Sequence, residues 1–310
     1  MIATALRRAL GAFEYLRLSH LLRQNEELRN RHIGEKAFLF ATGKSMLGMD
    51  LSKFNGQVTI GCNEIFRHPS FPSLQLKYYV AGVPFRSWRQ ISSRFTHEHH
   101  HQYFSAINEA FCDRDTVHLY HATLLRYLKN RTLLSNAPRY YYLRKGALDS
   151  SESQAVDLTR PITFADGGLT LMIALAMFMG CKEIYLFGCG YTYAPVQAFH
   201  FYNCMRCPTG LTESEMDVAM NAFRLSHPET DFRGTNTNIV TLGGDELMVD
   251  FSYYPDKHLE SGGGFYRTHR IIRSFAESNG VRILNVVPSG YSSPVYETAP
   301  VESGANWSLG

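Results

Sequence analysis

The sequence predicts one α/β domain with a mostly parallel sheet, helices on both faces of the sheet and an inserted lid. Three observations lead to this fold class. Residues 167–179 are apolar on every face of a helix and stop at Gly180, which is typical of a helix buried on all sides. Residues 184–187 are a short apolar run that ends at Gly188, as a central parallel strand does. Similar short runs recur from Lys36 onward, separated by turn residues.

Composition limits the class of protein. The chain has 310 residues, of which 45% are apolar and 13% aromatic, enough to bury a large core. A formal charge of +3 suits an anionic small substrate or a membrane surface, but no basic run with interleaved aromatic residues indicates nucleic-acid binding. The six cysteines lie mostly in apolar stretches with no secretory signal before them, so we expect reduced thiols in a cytoplasmic protein.

Residues 1–30 are predicted to form an amphipathic helix. Leu6, Leu10, Phe13, Leu16 and Leu21 fall roughly on one face, with arginines elsewhere. Two interpretations stay open: a helix docked on the domain, or one that lies in a membrane interface as a peripheral contact. No run in the chain approaches the ~20 apolar residues that a spanning helix needs.

The first predicted strand, residues 36–41, runs into Thr42, Gly43, Lys44 and Ser45. This is not a P-loop, because that motif requires a glycine where Phe38 stands. A glycine and a hydroxyl at a strand-to-helix turn can nevertheless hold a phosphate through backbone N–H groups. These four residues are therefore candidates for nucleotide binding.

A second strand, residues 57–60, and a third, residues 78–80, follow. Asn63 comes just after the second strand, at the carboxyl end where ligands of such sheets bind. Its amide can both donate to and accept from a ribose or sugar, or it can cap the local turn.

Residues 85–160 are less regular. The histidine-rich residues 97–101 fit either a metal site or, in our interpretation, a solvated tract in a mobile segment. Asp113 and Asp115 match the D-x-D pattern of metal-dependent sugar transferases, although acidic pairs are common in loops. Strands near 117–120 and 140–143 flank a helix over 124–129. A mobile connection is expected over 145–160.

The loop after the central strand carries Tyr191 and Tyr193, then His200, Cys204 and Cys207. The last three have zinc-ligand types at plausible spacing, but a fourth ligand is missing from the pattern, so no metal is predicted. Further elements are a helix near 213–223, a strand over 238–242, a lid over about 245–264 with three glycines at 262–264, a helix over 265–278 and a last strand over 282–287. We divide the chain into 1–30, a main domain over 31–296 and a disordered tail over 297–310.

Four stretches together resemble the bacterial sialyltransferases that build lipooligosaccharide, and the wider sugar-transferase-like family that includes the flagellin-modifying motility accessory factors. They are FATGKSM with LSKF after it, IGCNEIF, GGLTLMIALAMFMGCKEIYLFG and ILNVVPSG. The resemblance covers most of residues 36–290 in the same order. It implies a single Rossmann-like domain with a lid, which transfers a nonulosonic acid such as sialic acid from its CMP-activated form, with inversion and without a metal or other cofactor. The implied partners are this donor and a glycan or glycolipid acceptor.

The resemblance also implies roles for residues of the predicted site. The Thr42 to Ser45 turn would contact the nucleotide phosphates and Asn63 the cytidine or sugar. Gly167 and Gly168 would line the donor pocket, and Tyr191 and Tyr193 would hold the leaving phosphate. Gly188, at the carboxyl end of the central strand, is a further candidate for nucleotide binding. This chain departs from the family pattern at Thr42, usually Asn, and at Gly190, commonly Asp.

The catalytic base of that family is a histidine in the lid. His258 is the nearest candidate here, and His200 is the second. Displacement of CMP passes through an oxocarbenium-like state, so a base must deprotonate the acceptor while tyrosine hydroxyls or backbone N–H groups stabilise the departing phosphate. Arg206, Arg267 or Arg270 could pair with the carboxylate of the donor.

Two other functions stay open from the sequence alone. A pterin diphosphokinase-like enzyme would use Mg²⁺ and ATP, and would need carboxylates at strand ends. A non-catalytic protein that binds a nucleotide sugar is the other. The sequence also leaves the oligomeric state open, a homo-oligomer included.

Overall fold

The computed structural model describes residues 16–43, 46, 48–81, 97–125, 138–143, 156–163, 167–189, 238–242, 245–249, 264–288, 293 and 295–301. Its helices are α1 (residues 16–23), α2 (His97–Phe111), α3 (Gly168–Phe178) and α4 (Gly264–Ser278). Its strands are β1 (Lys36–Phe40), β2 (Val58–Cys62), β3 (Tyr78–Val80), β4 (Val117–His121), β5 (Arg139–Tyr142), β6 (Glu183–Phe187), β7 (Asn238–Leu242), β8 (Asp245–Val249), β9 (Arg282–Pro288) and β10 (Glu297–Val301).

Eight of these strands form one sheet in which every observed pairing is parallel. The strand order is β10-β9-β6-β1-β2-β3-β4-β5. The chain builds the sheet outward from β1 to β5, then returns to the other side of β1 with β6, β9 and β10. The order therefore reverses between β1 and β6. β7 and β8 form a separate antiparallel pair.

Helices cover both faces of the sheet, as the sequence predicts. Alternate residues of β1 show why: Ala37 and Leu39 belong to one buried cluster, which α3 and α4 cover. Phe38 and Phe40 belong to the other, which α1 and α2 cover. A strand buried on both faces has to be apolar throughout, and β1 is buried from its second residue to its last.

Helix α3 packs in the buried cluster that contains Ala37 and Leu39, and its bounds match the predicted helix over 167–179 to within one residue. Nine of its eleven residues are buried, and Gly180 ends it with φ of +85°. The carbonyls of Phe178, Met179 and Gly180 accept hydrogen bonds from the backbone N–H groups of residues 30, 32 and 34. The segment before β1 thus satisfies the free carbonyls at the end of α3.

The N-terminal region buries only part of the face that the sequence suggests. Of that face, Leu21 is buried but Leu16 is 70% exposed, and Leu18 and Leu22 are buried on the sheet with Leu21. The helix ends at residue 23 and a 3-10 turn, Gln24–Leu28, continues the chain. The buried leucines of α1 are therefore not available to a bilayer, and residues 1–15 lie outside the described residues. None of the helices in the described ranges has the length and apolar character needed to cross a membrane.

Four other expectations differ from the structure. The histidine-rich residues 97–101, expected in a mobile segment, begin helix α2. Leu158, expected in a mobile connection, is fully buried, and Asn25 donates a hydrogen bond to its carbonyl. Residues 245–249, assigned to the lid, form β8 and pair with β7. Residues 297–301, assigned to a disordered tail, add β10 to the open edge of β9, since parallel pairing there satisfies backbone groups and Tyr296 is buried beside the sheet.

Candidate functional site

The site is built where the strand order reverses, at the carboxyl ends of β1 and β6. Two backbone hydrogen bonds extend their pairing beyond the strands: Ala41 N–H donates to the Phe187 carbonyl at 2.9 Å, and Gly43 N–H donates to the Gly188 carbonyl at 3.1 Å. Parallel sheets open a crevice at such a reversal, because the connections on either side leave in opposite directions. The two turns at this reversal are therefore joined to each other directly.

Glycine is required on both sides of that contact. A Cβ atom on Gly43 would lie 2.1 Å from the Gly188 carbonyl oxygen, which is backbone and cannot rotate away. Gly188 has φ of +72°, and a Cβ atom there would lie 2.7 Å from Met46 Cγ and 2.9 Å from the Ala41 carbonyl oxygen. The backbones approach each other more closely than side chains would permit.

The neighbouring strand β2 contributes Cys62 and Asn63. Asn63 has φ of +51°, a conformation that asparagine tolerates better than most residues, and its carbonyl accepts a hydrogen bond from the Tyr79 hydroxyl at 2.8 Å. A Cβ atom on Gly168 would lie 2.8 Å from Cys62 Sγ and 3.0 Å from Asn63 Nδ2. Gly168 thus lets the N-terminus of α3 come close to the carboxyl end of β2.

The start of α3 presents backbone N–H groups to the same edge of the sheet. The Thr170 hydroxyl accepts from Gly167 N–H at 3.1 Å and donates to the Gly167 carbonyl at 3.0 Å, which fixes the first turn. The aligned peptide dipoles favour negative charge at this end of the helix. Helix α3 carries no acidic residue in its first turn that would oppose an anion.

The two cysteines at this edge are not nucleophiles. Burial raises the pKa of the Cys62 thiol to about 12 and raises that of Cys189 well above its ordinary value. Both side chains are therefore protonated at neutral pH and pack as small apolar groups. The four cysteines among the described residues, these two with Cys112 and Cys181, are all free thiols.

Asn285 is a polar residue of the site that the sequence analysis missed. It lies on β9 beside Leu186 of β6, is 1% exposed and donates from Nδ2 to the Cys189 carbonyl at 3.0 Å. Its Oδ1 has no hydrogen-bond partner among the described residues. The sequence signal that could have identified it is a single asparagine inside the apolar run of β9.

The structure brings six of the predicted site residues to one edge of the sheet. They are Thr42, Gly43, Asn63, Gly167, Gly168 and Gly188, and the Thr42 side chain is buried there. Lys44, Ser45, Tyr191, Tyr193, His200 and His258 lie outside the described residues. A role in nucleotide binding or catalysis stays a prediction for all twelve.

The acidic D-x-D pair is at the opposite edge. Asp113 and Asp115 precede β4, so they lie at its amino end, away from the site. Arg114 between them donates to the carbonyls of Phe71, Pro72 and Leu74, which gives this turn a structural role. Within the described ranges no cluster of three or more acidic, histidine or cysteine side chains could hold a metal.

The arginines proposed to pair with a donor carboxylate are only partly described. Arg270 is exposed on α4, and neither Arg206 nor the side chain of Arg267 is among the described parts of the chain. Cys204 and Cys207, the other candidate zinc ligands, also lie outside the described residues.

Together, the reversal of strand order between β1 and β6 and the glycine turns beside it define an α/β protein of the class whose ligands bind at the carboxyl edge of the sheet. No protein-family model and no curated protein matches the sequence. The structure of the MAf glycosyltransferase from Magnetospirillum magneticum AMB-1 matches it at 13% identity over 94% of this chain and 39% of that one, with a TM-score of 0.43. The sialyltransferase CstII from Campylobacter jejuni, in complex with the substrate analogue CMP-3FNeuAc, matches at 13% identity over 72% of this chain and 98% of that one, with a TM-score of 0.25. This chain thus spans well under half of the MAf protein.

Proposed function

We propose that this chain is a glycosyltransferase that takes its sugar from a nucleotide-activated donor. The observation that carries the proposal is the reversal of strand order between β1 and β6, where Gly43 and Gly188 bring two turns into backbone contact. Sequence motifs at these same turns resemble those of the sialyltransferases and motility accessory factors. A CMP-linked nonulosonic acid such as CMP-sialic acid is therefore the donor to test first, in the synthesis of surface polysaccharide or lipooligosaccharide.

The proposed donor site uses backbone groups more than charged side chains. The Thr42 to Ser45 turn and the first N–H groups of α3 would hold the phosphate, since Gly43 and Gly168 lie at the carboxyl edge of the sheet and the first N–H groups of a helix have no partner within it. Asn63 would contact the cytidine or the sugar from the end of β2. The buried surroundings of this edge strengthen such hydrogen bonds, because little water competes for the donors.

In the proposed reaction the acceptor hydroxyl attacks the anomeric carbon, the bond from that carbon to the CMP phosphate breaks, and the configuration inverts. His258, or His200 as the second candidate, would take the acceptor proton. Tyr191 and Tyr193 would donate hydrogen bonds to the departing phosphate, so no metal is required for the charge that grows there.

The proposed acceptor is a glycan or glycolipid, and the proposed location is the cytoplasm or the inner surface of the membrane. Any peripheral contact with lipid would have to use residues before 16 or exposed positions such as Leu16, because Leu18, Leu21 and Leu22 are buried in the protein.

The test is ligand binding with a matched pair of variants. CMP at 100 times its Kd should raise the free energy of unfolding by about 2.7 kcal/mol, both in Mg²⁺ and in EDTA. Asn63→Gly keeps the backbone conformation of φ +51° and removes the amide, so it should weaken CMP binding. Asn55→Ala removes hydrogen bonds to Ser73 and Gln75 at the other end of β2, so it should lower stability and leave CMP affinity unchanged.

Stabilisation that appears only with ATP and Mg²⁺ would overturn the proposal in favour of a diphosphokinase-like enzyme. Binding of CMP-sialic acid without any transfer to an acceptor, under conditions where the donor is in excess, would favour the non-catalytic alternative. No stabilisation by any of CMP, UMP, GMP, ATP or their sugar conjugates would refute nucleotide binding altogether.

A further inference from the structure

Asn285 has an arrangement that stability alone does not explain. Ile283, Leu284 and Val286 around it on β9 are buried apolar residues, and the Asn285 side chain is 1% exposed. Its Nδ2 donates to the Cys189 carbonyl at 3.0 Å, and its Oδ1 has no partner in the described part of the chain. A buried acceptor without a donor costs free energy, whereas an apolar residue of similar shape would avoid that cost.

The hydrogen bond of Asn285 connects two parts of the fold that are distant in sequence. Cys189 follows Gly188, whose carbonyl accepts the Gly43 N–H bond between the two turns of the site. Asn285 belongs to the last long strand, beside β6. The Cys189 carbonyl therefore accepts a hydrogen bond from β9, whereas the Gly188 carbonyl accepts one from the turn after β1.

We propose that Asn285 is a positioning residue for the donor site: its amide holds the Cys189 carbonyl, and so holds the backbone that leaves β6 where the donor is bound. This inference rests on the proposed function for its ligand. The residue contacts neither the reacting atoms nor the donor. Its contribution is to keep the Cys189 carbonyl in one orientation, one residue after the Gly188 carbonyl that accepts the hydrogen bond from the β1 turn.

The labelling rate of the Cys189 thiol shows whether this hydrogen bond holds the backbone, and it can be measured without any enzymatic activity. Cys189 is 7% exposed and burial raises the pKa of its thiol, so it should react slowly with N-ethylmaleimide. If Asn285 holds the backbone of Cys189, removing the amide should release that residue and accelerate its labelling. Exposed Cys112 and buried Cys181 give the fast and slow references in the same molecule.

The variants are Asn285→Leu and Asn285→Asp, each labelled with N-ethylmaleimide and analysed by mass spectrometry of the cysteine peptides. Leucine removes the unsatisfied Oδ1 but also leaves the Cys189 carbonyl without its donor, and because these two effects on stability oppose each other the melting temperature should change little. Aspartate keeps the shape, and because burial favours a protonated carboxyl, its hydroxyl can still donate to the Cys189 carbonyl, so this variant should label at close to the wild-type rate. In Asn285→Leu we expect Cys189 labelling to accelerate at least tenfold, and the Kd of CMP measured by calorimetry to rise about three- to tenfold, the effect of one hydrogen bond.

Asn25→Leu is the matched control. Asn25 is also fully buried with an unpartnered Oδ1, but its Nδ2 donates to the carbonyls of Tyr141 and Leu158, away from the site. This variant should lose stability and leave both the Cys189 labelling rate and the CMP affinity as in the wild type.

Three results would overturn the inference. Cys189 labelling in Asn285→Leu could remain at the wild-type rate, or it could accelerate together with Cys181, which would indicate general loosening of the fold. Accelerated Cys189 labelling with unchanged CMP affinity would show that the bond does not position the site. If the wild type binds none of the nucleotides, the proposed function fails, and the labelling experiment still reports separately whether Asn285 holds Cys189.

Discussion

Replacing Gly43 by alanine tests the geometry of the candidate site most directly. The new Cβ atom would lie 2.1 Å from the Gly188 carbonyl oxygen and 2.8 Å from its carbonyl carbon, both backbone atoms. Neither can move without displacing the turn after β6. Overpacking of this kind costs about 1–3 kcal/mol, and losing the 3.1 Å hydrogen bond from Gly43 N–H adds about 1 kcal/mol, for a total of about 2–4 kcal/mol.

Urea unfolding monitored by circular dichroism measures this loss as a lower midpoint, and calorimetry with CMP measures the accompanying loss of binding. Gly167→Ser is the control: a Cβ atom there meets nothing within 4 Å, and serine is favoured at the N-cap of a helix. Its midpoint should equal or exceed that of the wild type. A Gly43→Ala protein that unfolds at the wild-type urea concentration would refute the argument that the two turns are in backbone contact.

Three further predictions concern other parts of the fold. Gly168→Ala should displace Cys62 Sγ and Asn63 Nδ2, 2.8 Å and 3.0 Å from the new Cβ atom, and so should lower the melting temperature and weaken CMP binding in calorimetry. Burial lowers the pKa of His118 from 6.5 to about 3, so the unfolded chain binds a proton that the folded chain does not, and stability should fall as the pH drops through this interval. His118→Phe should make that decline shallower in urea titrations between pH 7 and pH 4. Arg29→Ala should cost about 1 kcal/mol in urea unfolding, because the guanidinium stacks 4.7 Å from the Phe178 ring at the end of α3.

Each of these predictions has its own contrary outcome. Wild-type CMP affinity in Gly168→Ala would show that the start of α3 is not part of the donor site. An acid decline in His118→Phe as steep as that of the wild type would assign the pH dependence to other groups, such as His269, whose pKa burial also lowers to about 3. Arg29 also pairs with Glu26 and Asp157, so the ring contact is tested by comparing Arg29→Ala, Phe178→Leu and the double variant. Additive losses in the double variant would mean that the stacking on Phe178 contributes nothing.

The buried elements of the fold could be predicted closely from local pattern. The apolar run of α3 and the short run of β6 were placed to within a residue, because complete burial leaves a pattern that one segment carries by itself. The peripheral elements could not be predicted from local pattern. β10 and β8 are strands because a neighbouring strand offers backbone groups to pair with, and that neighbour is not visible in the local sequence.

The residues of the candidate site also divide into those that the local sequence predicts and those that it does not. Gly43, Asn63 and Gly188 follow predicted strands, so the rule that ligands bind at carboxyl ends identified them from the sequence. Asn285 was missed because its importance depends on the Cys189 carbonyl, 96 residues earlier in the chain. The D-x-D pair was suggested by residue type alone, and only the direction of β4 shows that it lies at the opposite edge.

The sequence by itself determined which segments are buried, since the spacing of apolar residues specifies how many faces of a helix or strand must avoid water. It also determined where the glycine turns lie along the chain. The tertiary structure alone decided that β6 returns to the far side of β1, and so which turns meet. That choice depends on contacts between residues far apart in the chain, and it puts Gly43 against Gly188 and Asn285 against Cys189.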